Sequence, residues 1–304
     1  MKSESLSGFQ DYKVLDTDKE WVLYHNCFSL CSRKVRVCLK ELDIAAELKH
    51  IDIIETNDCE NLEKKFLKIN PKATVPVLLH HGNPIYESHE QIAFLEKYNP
   101  ILSKSEIVDY WVKRGSLVGE PNEDHDQFAG NCVSIFTVPL FVSMLKNISI
   151  FKFIKYLIKH PVRFRAFNFL MFKVISYGVF KKGTPLFKIT KSAVNNLNIH
   201  FDDLNDHLNE KKWIDGDKFS LADITWMVLF HRLEESQLTN YFLNDRENLI
   251  GYFNRLKARE SYKSELLDYE ENSIKVGKDR LIIAIESNQT LNKYCLLYTS
   301  PSPR

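Results

Sequence analysis

The chain has 304 residues, of which 44% are hydrophobic and 27% charged, enough for two domains of ordinary size with buried cores. With 41 Lys and Arg against 40 Asp and Glu, the net charge is +1, so the overall balance singles out no charged partner. The six cysteines (27, 31, 38, 59, 132 and 295) show no zinc-like pairing, no metal is expected, and Cys27-x-x-x-Cys31 is not the C-x-x-C spacing, which disfavours a dithiol mechanism.

Residues 1–17 are polar and read as peripheral, with no apolar core of a secretory signal up to Glu20. No uninterrupted apolar run reaches the roughly 18–20 residues that span a bilayer, so the expected setting is reducing and cytoplasmic. Trp21–Tyr24 reads as a strand, His25 to Leu30 as a turn, and Cys31 opens a helix to about residue 42. A thiol there faces unpaired backbone N–H groups and the positive end of the helix dipole, and both favour thiolate. The same geometry suits the thiolate of a bound ligand. Arg33, Lys34 and Arg36 read as a solvated helix face that adds positive potential, with Arg36 a candidate brace. Cys38 fits the apolar pattern of a core thiol; Cys59, Cys132 and Cys295 read as spectators.

A strand at about 46–53, a helix at about 59–68, strands at 77–80 and 85–87 and a helix at 88–98 follow. His81-Gly-Asn-Pro84 links the last two strands as a hairpin. The order βαβ then ββα predicts an α/β domain over 18–100, a mixed four-stranded sheet with helices on its faces. Pro76 heads a strand, where the missing N–H costs no ladder bond. If Val75–Pro76 is cis, the backbone of Val75 is left pointing outward. Ser88 at a helix N-cap beside free N–H groups suits a carboxylate, and Glu87 an ammonium group. A thiol site, an extended-peptide edge and an amino-acid site together suit a small thiol peptide.

Pro100 to Ser105 reads as a linker, and 105–285 as an all-helical domain. Residues 127–201 contain no Asp or Glu but eleven Lys or Arg, leaving the rest of the chain at −10. Aromatics and cations alternate from Ile148 to Lys182. This reads as a wall or lid of an apolar cavity, a face for an anionic membrane, or an oligomer surface. Nucleic acid is not expected as a partner, because no recognised module accompanies the charge. Ser220 and Asp223 form a capping-box pattern, with Phe219 and Ile224 placed as a hydrophobic staple. The helix from Leu221 to about Leu238 is apolar on most sides and reads as buried and central. Residues 286–304 read as peripheral; Leu296 to Arg304 continues no pattern and is set aside from the fold.

Three ordered features resemble the glutathione transferases: Ser29 to Arg36, Val75-Pro76 with Glu87-Ser88, and Ser220-Leu-Ala-Asp223. The resemblance covers about 20–100 and 195–270. Lys212 to Trp226 and Asn248 to Arg259 look like the tetrachlorohydroquinone reductive dehalogenase branch, related to the zeta class. A similar helical pattern occurs in the membrane-linked ganglioside-induced differentiation-associated proteins. The resemblance implies a thioredoxin-like N-terminal domain, a helical C-terminal domain, glutathione as co-substrate, a small hydrophobic electrophile and a homodimer. It implies Thr74 and Val75 on the peptide backbone of glutathione, Pro76 in cis, and Glu87 and Ser88 on its γ-glutamyl end. Ser29 falls where zeta-like enzymes place the serine that activates the thiol. Cys31 falls at the dehalogenase nucleophile, and also where related transferases carry a non-redox cysteine. Three readings stay open: conjugation through Ser29, thiol exchange or reductive dehalogenation through Cys31, and a non-catalytic membrane-associated protein of this fold.

Overall fold

The computed structural model describes residues 6–56 and 58–287. Cys295 and the tail from 296 lie outside the described residues. The strands are β1 (Gly8–Phe9), β2 (Trp21–His25), β3 (Glu47–His50), β4 (Val77–His80) and β5 (Asn83–Tyr86). Their order is β1-β5-β4-β2-β3, with β2 parallel to β3 and the other pairs antiparallel. The expected four strands are present, with one addition. Residues 8–9, read as peripheral, pair with β5, and Phe9 stacks on Phe94 at 5.4 Å.

Strand alternation sorts the sheet into two buried faces. Leu23, Leu78 and Ile85 face α1 (Leu30–Glu41) and α3 (Ser88–Tyr98), meeting Val35, Cys38, Ile92 and Leu95. Val22, Tyr24, Val77 and Leu79 face the other way, onto Phe66 of α2 (Lys64–Leu67) and onto Ile69. The helix expected over 59–68 is broken. Glu63 is extended (φ −78, ψ 147), separating a 3-10 turn at Glu60–Leu62 from the single turn of α2. The strand expected at 46–53 is shorter, because pairing with β2 ends at His50. The hairpin is tighter than expected, with only His81 (φ 51) and Gly82 (φ 85) in the turn. Positive φ at both central residues is the turn whose twist matches a hairpin. A Cβ on Gly82 meets the Leu15 carbonyl oxygen at 2.1 Å, so glycine is required there twice over.

The rest is helical: α4 (Glu106–Gly115), α5 (Ala129–Phe136), α6 (Val138–Leu145), α7 (Ile150–Lys159), α8 (Arg163–Ile175), α9 (Pro185–His207), α10 (Leu221–Glu235), α11 (Thr239–Leu243), α12 (Glu247–Lys257), α13 (Glu260–Tyr262) and α14 (Asn272–Ser287). In α10 every residue but Glu234 is buried, as expected of a central helix. The Asp223 carboxylate accepts from the Ser220 N–H at 2.8 Å, the Ile214 N–H at 3.0 Å and the Tyr252 hydroxyl at 2.8 Å. The capping box therefore also fixes the preceding loop and α12. Helix α10 stops at Glu235 rather than near 238, where Gln237 turns left-handed (φ 62). The segment 127–201 is not one amphipathic unit. Helices α5 and α6 are core, and α9 carries a buried stripe from Thr190 to Leu204. The exposed apolar residues concentrate on α7 and α8.

Candidate functional site

Ser29 is the N-cap of α1, and its hydroxyl oxygen accepts from the Ser32 N–H at 3.3 Å. That bond uses an acceptor position and leaves the hydroxyl proton free to donate. The first backbone bond of the helix runs from the Arg33 N–H to the Ser29 carbonyl, so the N–H groups of Leu30 and Cys31 have no partner among the described residues. Cys31 lies one residue inside the helix. Of the five described cysteines it alone is not buried. Burial pushes the Cys27 and Cys59 thiols up to about 12, with Glu271 and Asp58 adding to it, and pushes Cys38 and Cys132 up as well. These four are held as thiols, which leaves Cys27 unsuited to act as a second reactive group.

The turn before Ser29 is pinned by groups that read as solvent-facing in the sequence. Arg33, Lys34 and Arg36 are not a solvated face: they are 0%, 3% and 1% exposed. Helix α10 packs on α1 and meets Arg33 through Glu235, while Lys34 reaches Ser116 and Arg36 meets Glu265 and Tyr269. Arg36 donates to the Asn26 carbonyl at 3.3 Å, Arg33 to the Cys27 carbonyl at 2.9 Å and Arg232 to the Phe28 carbonyl. Three successive carbonyls thus each meet a buried guanidinium. Glu235 supplies the counter-charge, 2.6 and 2.8 Å from Arg33 in a two-pronged contact and 2.8 Å from Arg232. Arg36 is braced by the Glu265 carbonyl at 2.7 Å, in a π-helical turn, and lies over the Tyr269 ring at 4.2 Å. Asn26 completes the lock: its side chain donates to Ile51 and Thr56 and accepts from the Phe28 N–H.

Burial alone raises the Glu235 carboxyl, but Arg33 and then Arg232 outweigh it and hold it far below the usual range. Burial pushes His231 down to about 3, with Arg33 and Arg232 reinforcing it, so its 3.6 Å contact with Glu235 is not an ion pair. Burial, then Arg36 and His50, also push His25 to about 3.

These buried histidines set a pH response. Each is neutral in the fold below its ordinary value of 6.5, where the unfolded chain binds a proton. Stability is therefore complete above pH 6.5 and falls toward pH 3, by about 1.4 kcal/mol per pH unit per proton. Glu55, raised to about 7 by burial, acts in the opposite sense between pH 4.5 and 7. His160 and His200, both pushed by burial to about 4, add to the first two, so the histidines outweigh it. We expect the melting temperature to fall from pH 7 to pH 5. His231→Gln is expected to flatten that slope, and a slope identical to that of the parent chain refutes this account.

The second strand-end element stands as expected. Val75–Pro76 is cis, and the Val75 N–H and C=O have no partner among the described residues. The loop leading to it is held by Asn70, which donates to the Thr74 carbonyl at 2.8 Å, and by Asn61, which donates to the Ala73 carbonyl at 2.9 Å. Gln91 donates to the Pro76 carbonyl at 3.1 Å and to Ile85 at 2.8 Å, tying α3 to this edge. The N-cap of α3 is Glu87, not Ser88; Glu87 has φ 65, and Ser88 is the first helical residue, 5% exposed. The shift by one residue keeps Ser88 at the helix N-terminus. Lys72 lies 3.4 Å from the exposed Glu87 and is anchored by the Leu6 carbonyl at 2.9 Å. Lys34 donates to Ser116 at 3.1 Å, and burial lowers the pKa of its ammonium group. The end of β2 pairs with the start of β4 (Tyr24 with Val77), and the end of β5 lies beside that start (Ile85 with Leu78). The starts of α1 and α3 and the Val75 edge thus belong to one end of the sheet.

The sequence reading missed Asn26, Asn70, Gln91, Arg232 and Glu235 as contributors. Asn70 precedes a proline and Gln91 lies one turn past Ser88, the only local signals available. The fold also gathers Cys27, His50 and Glu271 within 4.8 Å, a ligand-type set that linear spacing does not reveal. A cavity of about 510 Å³ lined by Lys40, Trp213 and Arg259 lies at the far end of α1, roughly 15 Å along the helix from Ser29, and is separate from this site.

Residues 28–97 match the family model described as glutathione S-transferase, N-terminal domain. The chain is 24% identical over 257 residues to the tetrachloro-p-hydroquinone reductive dehalogenase of Sphingobium chlorophenolicum, covering 80% of this chain and 94% of that protein. It is 22% identical over 251 residues to glutathione S-transferase TCHQD of Arabidopsis thaliana, covering 81% and 90%. Among solved structures, the beta-etherase LigF of Sphingobium sp. superposes with a TM-score of 0.65 at 17% identity, over 82% of this chain and 100% of that one, a likeness of fold. Motifs, architecture and matches agree: residues 28–97 carry the glutathione S-transferase N-terminal domain, and the chain along most of its length is similar to glutathione-dependent enzymes of that fold.

Proposed function

We propose that this protein is a cytoplasmic glutathione transferase that holds the thiolate of glutathione at the start of α1 and passes it to a small hydrophobic electrophile. The observation that carries this reading is Ser29, a capping hydroxyl whose proton is not used in the cap, next to helix N–H groups that have no partner among the described residues. A hydroxyl donating to sulfur favours the thiolate over the thiol. Val75, whose N–H and C=O have no partner among the described residues, and Thr74 beside it suit the peptide backbone, and cis Pro76 presents that edge. Ser88 at the α3 N-terminus suits the γ-glutamyl carboxylate, and Glu87 its ammonium group. Lys72 adds a cation for the other carboxylate. Glutathione supplies the nucleophilic sulfur; this chain supplies position, charge and a donor. A homodimer is part of the proposal, read by sedimentation velocity.

The purified protein is expected to be retained on immobilised glutathione and to conjugate members of an aryl halide panel. No retention and no thiol-dependent turnover refute the reading. A second reading, thiol exchange or reductive dehalogenation through Cys31, is favoured by one observation: Cys31 is the described cysteine that is not buried. Retention without turnover supports the third, non-catalytic reading.

A further inference from the structure

Helices α7 and α8 form a hairpin joined by His160-Pro-Val162. Its inner face is anchored: Phe153, Tyr156 and Ala166 are buried against Ile54, Cys59, Leu62 and Ala73 of the N-terminal domain. Its outer face is apolar and open. Phe151 is 77% exposed and Phe164 72%, with Ile154, Ile158, Phe167 and Val174 exposed beside them. The spacings 151/154/158 and 164/167/174 are helical, so each helix carries one outward apolar stripe. Cations flank the stripes at Lys155, Lys159, Arg163 and Arg165, and the surrounding segment has no acid from 127 to 201. Scattered exposed apolar residues are ordinary, but six large ones on two adjoining stripes form a patch that marks an interaction site.

We propose that this hairpin is a docking face for an anionic membrane surface, a property beyond the transferase reading and independent of it. Phenylalanine and isoleucine tips enter the headgroup–acyl boundary, while the cations meet lipid phosphates. No described helix is long and apolar enough to cross a membrane, so the contact is interfacial. A second copy of the chain is a poor occupant, because two such faces bring cations against cations with no acid between them. Because the inner face of the hairpin packs on residues 54–73, the docked face lies behind the loop that leads to Val75.

Sedimentation of the full chain with phosphatidylcholine vesicles, with and without phosphatidylserine, tests this. Pelleting is expected with phosphatidylserine at low salt and is expected to fall as salt rises. Phe151→Ser with Phe164→Ser removes exposed side chains only, and is expected to lower partitioning about tenfold or more. Lys155→Glu with Lys159→Glu is expected to do the same. Unchanged melting temperatures show that both variants fold. The proposal is overturned by no pelleting at low salt, or by pelleting that neither pair changes. It is equally overturned if the face instead binds an acidic protein, or a second copy, while vesicles are ignored.

Discussion

Glu235→Gln is expected to cost about 3–5 kcal/mol of stability, the largest effect of any single change considered. Glu235 is the shared counter-charge of Arg33 and Arg232, and all three are essentially out of solvent. Removing it leaves two guanidinium groups buried without compensation. The pair itself is not an efficient source of stability, since desolvation offsets much of the attraction; the cost arises from breaking it one-sidedly. Glu235→Asp keeps the charge with a shorter reach and is expected to cost less. Urea unfolding at pH 7 measures both, and a loss below about 1 kcal/mol for Glu235→Gln refutes the account. The sign with pH follows from the lowered carboxyl. Its contribution is complete above the ordinary value of 4.5 and is lost as pH falls below it toward the folded value. The damage is also predicted to be functional, because Arg33 and Arg232 hold the carbonyls of Cys27 and Phe28, directly before Ser29.

Ser29→Ala and Cys31→Ala are the second pair, and they separate the two enzymatic readings. A hydrogen bond to a charged group contributes about 1.5–3 kcal/mol. Losing it from a thiolate lowers turnover roughly 10- to 150-fold at fixed pH and moves the pH–rate profile up by about one to two units. Ser29→Ala is expected to show both effects, and Ser29→Thr, which keeps a hydroxyl, to recover much of the rate. The lost cap costs about 1 kcal/mol of stability, too little to unfold the chain. Cys31→Ala is expected to leave conjugation nearly unchanged. The reverse pattern, abolition in Cys31→Ala with Ser29→Ala near normal, rejects the transferase reading in favour of thiol exchange. The profile shift matters because a merely structural loss lowers the rate without moving the pH dependence.

Much of the scaffold was legible in the sequence because it rests on local rules. The short apolar runs Trp21–Tyr24 and Val77–His80 marked strands, and the βαβ-ββα order limited the topology and put helices on the sheet faces. Ser220 and Asp223 lie three residues apart, so their cap could be recognised without knowing what α10 packs against. Val75-Pro76 and Glu87-Ser88 were visible as a peptide edge and a helix start. The errors arose where local signals compete. Glu63 divides a run that looks continuously helical, and β1 is too short to show periodicity.

The sequence by itself determined the order of the main elements, the capped central helix, the resemblance to glutathione transferases and the candidate groups proposed for a small thiol peptide. Only the tertiary structure decided which charges are inside. Charged residues are placed at the surface by default, because burying an unpaired charge is costly. Arg33, Lys34 and Arg36 were read by that rule, and the partner that overturns it for Arg33, Glu235, lies 202 positions away. The same long-range packing isolates Cys31 from the four buried thiols, and turns one half of a basic segment into core while leaving α7 and α8 facing out. Local spacing carries hydrogen-bonding and pattern information over a few residues; burial is a property of what the rest of the chain packs on top.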